Sequence, residues 1–278
     1  MSCDNFFTIK LNIYKKSLIS LYEFTSEEIF RIVWHNIMKA SLIIIGNEIL
    51  SGRTQDKNLS YLANWLNEIG IQLTEVRVIR DEEDVIVETV NHLRKTYDYV
   101  FTTGGIGPTH DDITSESIAK AFSVDLEINQ AALSILKEYY KDGELTEARM
   151  KMTKMPVGSE LIENPVSRAP GFKMDNVFVL AGIPGIMQGM LEGARQFLKK
   201  GDVVKSKSVD IFTPESNVAE ILTNLQAKYS SVEIGSYPFS KENRFGTSIV
   251  MRSTSDDQLS KCDIELKELV KNYDTKYQ

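Results

Sequence analysis

Cysteine is nearly absent from this 278-residue chain: there are two, Cys3 and Cys262. That excludes a disulfide framework and a thiolate metal site, and it fits a reducing compartment. Histidine is almost as scarce, and His35, His92 and His110 show no metal-ligand spacing. His110 keeps a weak claim to function because it sits inside a glycine-rich loop. No apolar run approaches the roughly 18 residues that span a bilayer, and no signal-peptide cleavage pattern is present. Positive charge is in deficit, with a net charge of -7, so nothing draws the chain toward nucleic acid or an anionic membrane. An anionic ligand would have to be held locally, by backbone N–H groups, a metal or a few cations. There is no Ser–His–Asp signature and no nucleophile elbow. What is present is ordinary for a globular protein, 42% hydrophobic and 26% charged residues. The length suits a large domain with a small one attached.

Residues 1–37 are rich in aromatic and β-branched side chains and read differently from the rest. A fold opens abruptly at Met38, so translation is expected to start there, the alternative being a genuine N-terminal extension such as an amphipathic arm. A chain beginning at Met38 is expected to fold with stability changed by no more than roughly 0.5 kcal/mol. From that point strands and helices alternate. Leu42–Ile45 is an apolar run ending at Gly46, the look of a buried parallel strand. Leu59, Leu62, Ala63, Leu66 and Ile69 mark an amphipathic helix closed by Gly70. Ile71–Ile79 reads as a strand, and Asp81 as the cap of a helix through Lys95. Tyr97–Thr103 reads as a strand, and Asp112–Ser115 supplies cap candidates for the next helix. Helices are expected over Gln130–Tyr140 and Thr146–Lys154, then a strand over Asn176–Leu180 and a helix carrying Met187, Met190, Leu191, Ala194, Phe197 and Leu198. Alternation of this kind predicts an α/β fold with a mostly parallel sheet covered on both faces. Gly201-Asp202 reads as a domain boundary, so the domains are 38–201 and 202–278. The second is expected as strand Val203–Phe212, helix Glu215–Lys228, strands Val232–Tyr237 and Gly246–Ser253, and helix Asp256–Asn272.

The strongest chemical feature runs from Thr102 to Asp112, between a strand and a helix. Thr103, Gly104, Gly105, Gly107, Pro108 and Thr109 form a loop whose glycines allow close approach to a ligand. The N–H groups of the following helix favour an anion. The spacing is neither the dinucleotide fingerprint nor the P-loop. Glycines after a strand can be a plain turn, and one aspartate before a helix is usually a cap. Two adjacent ones, Asp111 and Asp112, beside an anion-binding loop suit a divalent metal, which takes one or two carboxylates plus phosphates. The loop after the first strand brings Gly46, Glu48, Ser51, Arg53, Asp56 and Asn58 to the same sheet edge. Ala181-Gly182-Ile183-Pro184-Gly185 forms either a plain turn or a third wall.

Three separated motifs, 46–58, 104–112 and the turn holding Pro184, resemble the CinA-like family, competence/damage-inducible proteins, of the MoaB/Mog molybdopterin-binding class. They resemble equally the molybdopterin-binding-like module of eukaryotic FAD synthases. Segments 167–172 and 235–238 also look like family segments. The resemblance implies a MoaB/Mog-like three-layer sandwich followed by a small KH-like α+β module. It places the class's functional aspartates at Asp112 and Asp56. It implies hydrolysis of nucleotide diphosphates such as ADP-ribose or FAD, with Mg²⁺, Mn²⁺ or Co²⁺. Asp111 and Asp112 would hold the metal, and Asp56 or Glu48 would position the attacking water. The alternative is a non-hydrolytic molybdopterin-binding protein of cofactor assembly. A third reading, an interaction protein recruiting RNA, is disfavoured by the acidic charge and the missing Gly-x-x-Gly clamp. Neither a nicotinamide mononucleotide deamidase domain nor a synthase domain is expected. The family resemblance further implies a cytoplasmic homo-oligomer, dimer or trimer, without nucleic-acid or membrane partners.

Overall fold

The structure is a computed structural model describing residues 38–141, 144–241 and 244–277. The expectations for residues 1–37, including the start at Met38, lie outside these residues. Two compact units part between Gly201 and Asp202.

The first unit runs β1 (Met38–Ile45), α1 (Asn47–Leu50), α2 (Asn58–Glu68), β2 (Ile71–Ile79), α3 (Glu83–Thr96), β3 (Tyr99–Thr103), α4 (Thr114–Phe122), β4 (Leu126–Ile128), α5 (Gln130–Tyr139), α6 (Glu147–Lys151), β5 (Lys154–Pro156), β6 (Glu160–Ile162), β7 (Gly171–Met174), β8 (Val177–Leu180) and α7 (Pro184–Ala194). Its main sheet has the order β2-β1-β3-β8-β7-β6. The first four strands are parallel and the last two reverse in turn. β1 is buried on both faces, as its unbroken apolar run requires. Leu42 and Ile44 pack against Leu62 and Leu66 of α2 and Met187 and Leu191 of α7. Ile43 and Ile45 pack on the other side with Ile86 and Val90 of α3 and Ile118 of α4. Helices therefore cover both faces, and the architecture is the three-layer α/β sandwich expected from the sequence.

Several boundaries differ from expectation for local reasons. Asp81 does not cap α3; its Oδ2 accepts from the Asn47 N–H at 2.8 Å, and Glu82 takes the cap position without a side-chain bond. β3 starts at Tyr99 because Tyr97 ends α3, its N–H donating to the Leu93 carbonyl. The helix expected over Thr146–Lys154 stops at Lys151. There the Thr153 N–H and hydroxyl both donate to the Met150 carbonyl, at 3.0 and 2.7 Å, and the chain leaves as β5.

The second unit comprises β9 (Lys205–Ile211), a 3₁₀ turn at Glu215–Asn217, α8 (Ala219–Lys228), β10 (Glu233–Lys241), β11 (Arg244–Ser253), α9 (Asp256–Leu269) and β12 (Thr275–Tyr277). The antiparallel sheet has the order β10-β11-β9-β12. Val209, Ile211, Leu225, Ile249, Met251 and Leu266 form its core together with Cys262, whose thiol burial pushes up to about 11. The expected helix from Glu215 is broken at Val218, and β12 was not foreseen.

Candidate functional site

From β1 the chain moves outward to β2, then crosses back to place β3 on the other side of β1. The loop after β1 leads to α2 on one face of the sheet, and the loop after β3 leads to α4 on the other. This is a topological switch point, where open α/β sheets bind ligands outside the carboxyl ends of their strands.

Three loops are pinned together there by main-chain atoms. Gly104 has φ +104°, and a Cβ on it would stand 2.1 Å from the Ile45 carbonyl oxygen at the end of β1. Its N–H donates to the Leu180 carbonyl at 3.2 Å. A Cβ on Gly182 would stand 3.2 Å from the Gly104 Cα. Asn58, buried at the start of α2, donates through Nδ2 to the Gly182 carbonyl at 2.8 Å. Thr114, fully buried in α4, donates its hydroxyl to the Gly104 carbonyl at 2.9 Å and its N–H to the Gly105 carbonyl at 3.0 Å. The 46–58, 104–112 and 181–185 segments thus meet at one edge. Asn58 Oδ1 and the hydroxyls of Thr102 and Thr103 are buried there without a hydrogen-bond partner among the described residues. Stranding such a group costs roughly 1–3 kcal/mol, so it calls for an explanation.

The acidic side chains are partly occupied with local work. Asp56 Oδ1 accepts from the Leu59 N–H at 2.8 Å, so from one residue ahead of the cap position, Lys57, it does a cap's work on the first turn of α2. The Glu48 carboxylate folds back over Gly46, where a Cβ would stand 2.6 Å from Oε1. Ser51 donates its hydroxyl to the Glu48 carbonyl at 3.2 Å. Asp112 does not cap α4, whose cap position is Ile113 without a side-chain bond. Its Oδ2 accepts from the Thr109 N–H at 2.8 Å and from the Thr109 hydroxyl, and it lies over Gly107. Asp111 is exposed, and the nearby Thr109 hydroxyl, then its own backbone N–H, hold its carboxyl below the ordinary value. His110 Nδ1 lies 3.9 Å from Asp111 with its ring 99% exposed, so nothing fixes it as a proton carrier. Pro108 is exposed, and Pro184 opens α7 at its first turn. Among the described residues no three His, Cys, Asp or Glu side chains cluster to hold a metal ion unaided. Asp111 and Asp112 fit a metal that also takes ligand phosphates.

Sequence reasoning missed Thr114, Lys151 and Lys154. Lys151 Nζ donates to the Thr109 carbonyl at 2.8 Å, steadying the outer arm of the glycine loop. Both lysines line a small hollow with Ile106, Gly107, Asp112 and Glu116. The expected long helix hid their position beside the loop.

Residues 41–200 match the family described as "Probable molybdopterin binding domain". The chain belongs to this family, in its CinA-like branch. Residues 204–277, the small module, match the family described as "FAD synthase, middle domain". A protein of Archaeoglobus fulgidus is 35% identical over 201 residues, covering 72% of this chain and 86% of the relative. One from Sulfurisphaera tokodaii is 36% identical over 208 residues, 71% of this chain and 78% of the relative. The solved structure of the protein CinA with unknown function from Thermoplasma acidophilum is 37% identical, with a TM-score of 0.55. It covers 58% of this chain and 98% of that one. The family match and the layered sheet agree with the MoaB/Mog-like fold expected from the sequence. Among the described residues no helix is long and apolar enough to cross a membrane.

Proposed function

We propose that the CinA-like chain binds a phosphate-bearing nucleotide at the β1/β3 switch point and hydrolyses its diphosphate with a divalent metal. The observation carrying this reading is the three-loop junction, where Gly104 passes within a Cβ's reach of the Ile45 carbonyl and the three candidate loops meet at the carboxyl ends of the strands. The glycine loop and the start of α4 bind the phosphates. Asp111 and Asp112 hold the metal (Mg²⁺, Mn²⁺ or Co²⁺), which would polarise a phosphoryl oxygen. Thr109 orients Asp112 for that task through its N–H and hydroxyl. Asp56 or Glu48 positions the attacking water. Asn58 and Thr103 lend support, because their buried polar atoms lack partners among the described residues. The reading carries with it a cytoplasmic homo-oligomer, dimer or trimer.

The test is incubation with ADP-ribose and with FAD in the presence of each metal, with AMP detected by mass. AMP should form, and Asp112→Asn should abolish it without lowering the melting temperature. No AMP with any metal sinks the hydrolase. A molybdopterin ligand without hydrolysis is the second reading, supported by the molybdopterin-binding family match over residues 41–200. Micromolar binding of molybdopterin or its adenylylated form, with no product, would establish it instead.

A further inference from the structure

The hollow beside the glycine loop has walls of opposite charge. Asp112 and Glu116 lie on one side with Gly107 and Ser115, and Lys151 and Lys154 come from the α6–β5 segment on the other. Its volume, about 10 Å³, admits a single water and no ligand group in the present form. The lysines are therefore a rim that a ligand on the loop would meet, and the hollow alone is no binding chamber.

Neither lysine has a carboxylate within ion-pair distance among the described residues. Lys151 spends one of its three N–H donors on the neutral Thr109 carbonyl and keeps two for a ligand. The glycine loop carries no cation apart from the exposed His110 when it is protonated, so it can meet a phosphate with N–H and hydroxyl donors but little formal positive charge. A second phosphate on the same ligand would come close to Asp111, Asp112 and Glu116, and would be repelled unless cations offset them. We infer that Lys151 and Lys154 are specificity-determining residues that make this site prefer two linked phosphates to one. The inference rests on the diphosphate reading above and adds to it the residues that select for the second phosphate.

Inorganic pyrophosphate and inorganic phosphate isolate that choice from the nucleotide. Their affinities are measured by calorimetry without metal, for the full chain and for Lys154→Gln, Lys151→Gln, the double variant and Lys151→Arg. The double variant should bind pyrophosphate about tenfold more weakly and phosphate within about twofold of the parent, and added salt should narrow the gap. Lys151→Arg should restore most of the preference. Lys154 makes no bond to the loop, so Lys154→Gln reads the charge without disturbing Thr109, and thermal melts of all variants check folding. Equal loss for both anions, no loss, or a parent protein indifferent to the second phosphate would overturn the inference. Lysine-dependent pyrophosphate binding without AMP release from ADP-ribose would sink the hydrolase alone. AMP release untouched by the lysine variants would sink this inference alone.

Discussion

Gly104→Ala attacks the junction at its tightest point. The backbone there has φ +104°, a conformation that costs an L-residue roughly 1–3 kcal/mol. The new methyl would also arrive 2.1 Å from the Ile45 carbonyl oxygen. That oxygen is main chain at the buried end of β1, so it cannot swing aside, and overpacking of this kind costs about 1–3 kcal/mol more. The combined loss of about 2–6 kcal/mol is a large part of the roughly 5–15 kcal/mol that holds a domain folded. At about 2–4 °C per kcal/mol for a domain of this size, the melting temperature should fall by roughly 4–24 °C. Gly52→Ala is the control. Its φ of +72° imposes backbone strain, but nothing lies within 4 Å of the added methyl. It should cost only about 1–2 kcal/mol. Urea and thermal unfolding of the two variants, followed by circular dichroism, therefore measure the clash by difference. Equal losses would show that the β1 and β3 loops are not wedged together, and the argument for a preformed site would fall with them.

Asp56→Ala should lose the cap on α2 and about 0.5–2 kcal/mol of stability, whereas Asp56→Ser should keep most of it; urea midpoints decide, and if Asp56→Ser is stable yet inactive then Asp56 has a role beyond capping. Asn58→Leu removes the bond to the Gly182 carbonyl and should cost about 1–3 kcal/mol while weakening nucleotide binding; unchanged stability and affinity would remove Asn58 from the site. Tyr97, then Arg77, hold the Glu75 carboxyl below its ordinary value by hydrogen bonds. A depressed carboxyl stabilises the fold above its unfolded pKa, and the gain disappears as pH falls through the folded value. Tyr97→Phe should therefore be less stable than the parent near neutrality, and the gap should close below about pH 4.3; a gap that stays constant down to acid pH would contradict the assignment.

The large elements were legible where one physical demand dominated. β1, β3 and β8 lie buried between two helical layers, which forces continuous apolar runs, and such runs show in a sequence. The short strands β4, β5, β6 and β7 were not legible, because three or four residues carry no periodicity and their pairing is decided by distant partners. The aspartates mislead in a consistent way. Asp81 and Asp112 stand where caps belong, yet each is taken by a loop N–H, from Asn47 and Thr109 respectively. Local capping rules cannot anticipate the distant Asn47 donor that tertiary structure brings to Asp81, and at Asp112 the loop's own turn back to Thr109 wins over the helix ahead. Gly46, Gly104 and Gly182 could be picked out as loop residues, but that the last two touch is a property of the sheet order, which no local pattern encodes. Lys151 and Lys154 were hidden because their helix was drawn one turn too long.

The junction of the three loops is made almost wholly of backbone: a carbonyl of Ile45, the Cα of Gly104 and a carbonyl of Gly182 held by one asparagine. Main chain is common to every sequence that can keep the glycines, so substitutions at exposed neighbours such as Arg53 and Ile183 leave the scaffold untouched. Such a frame is an inheritable socket. Lineages, or a directed-evolution library confined to those exposed positions, can trade one recognised side group for another while the fold's geometry stays constant, so new ligand preferences can arise here without a stability penalty to repay first.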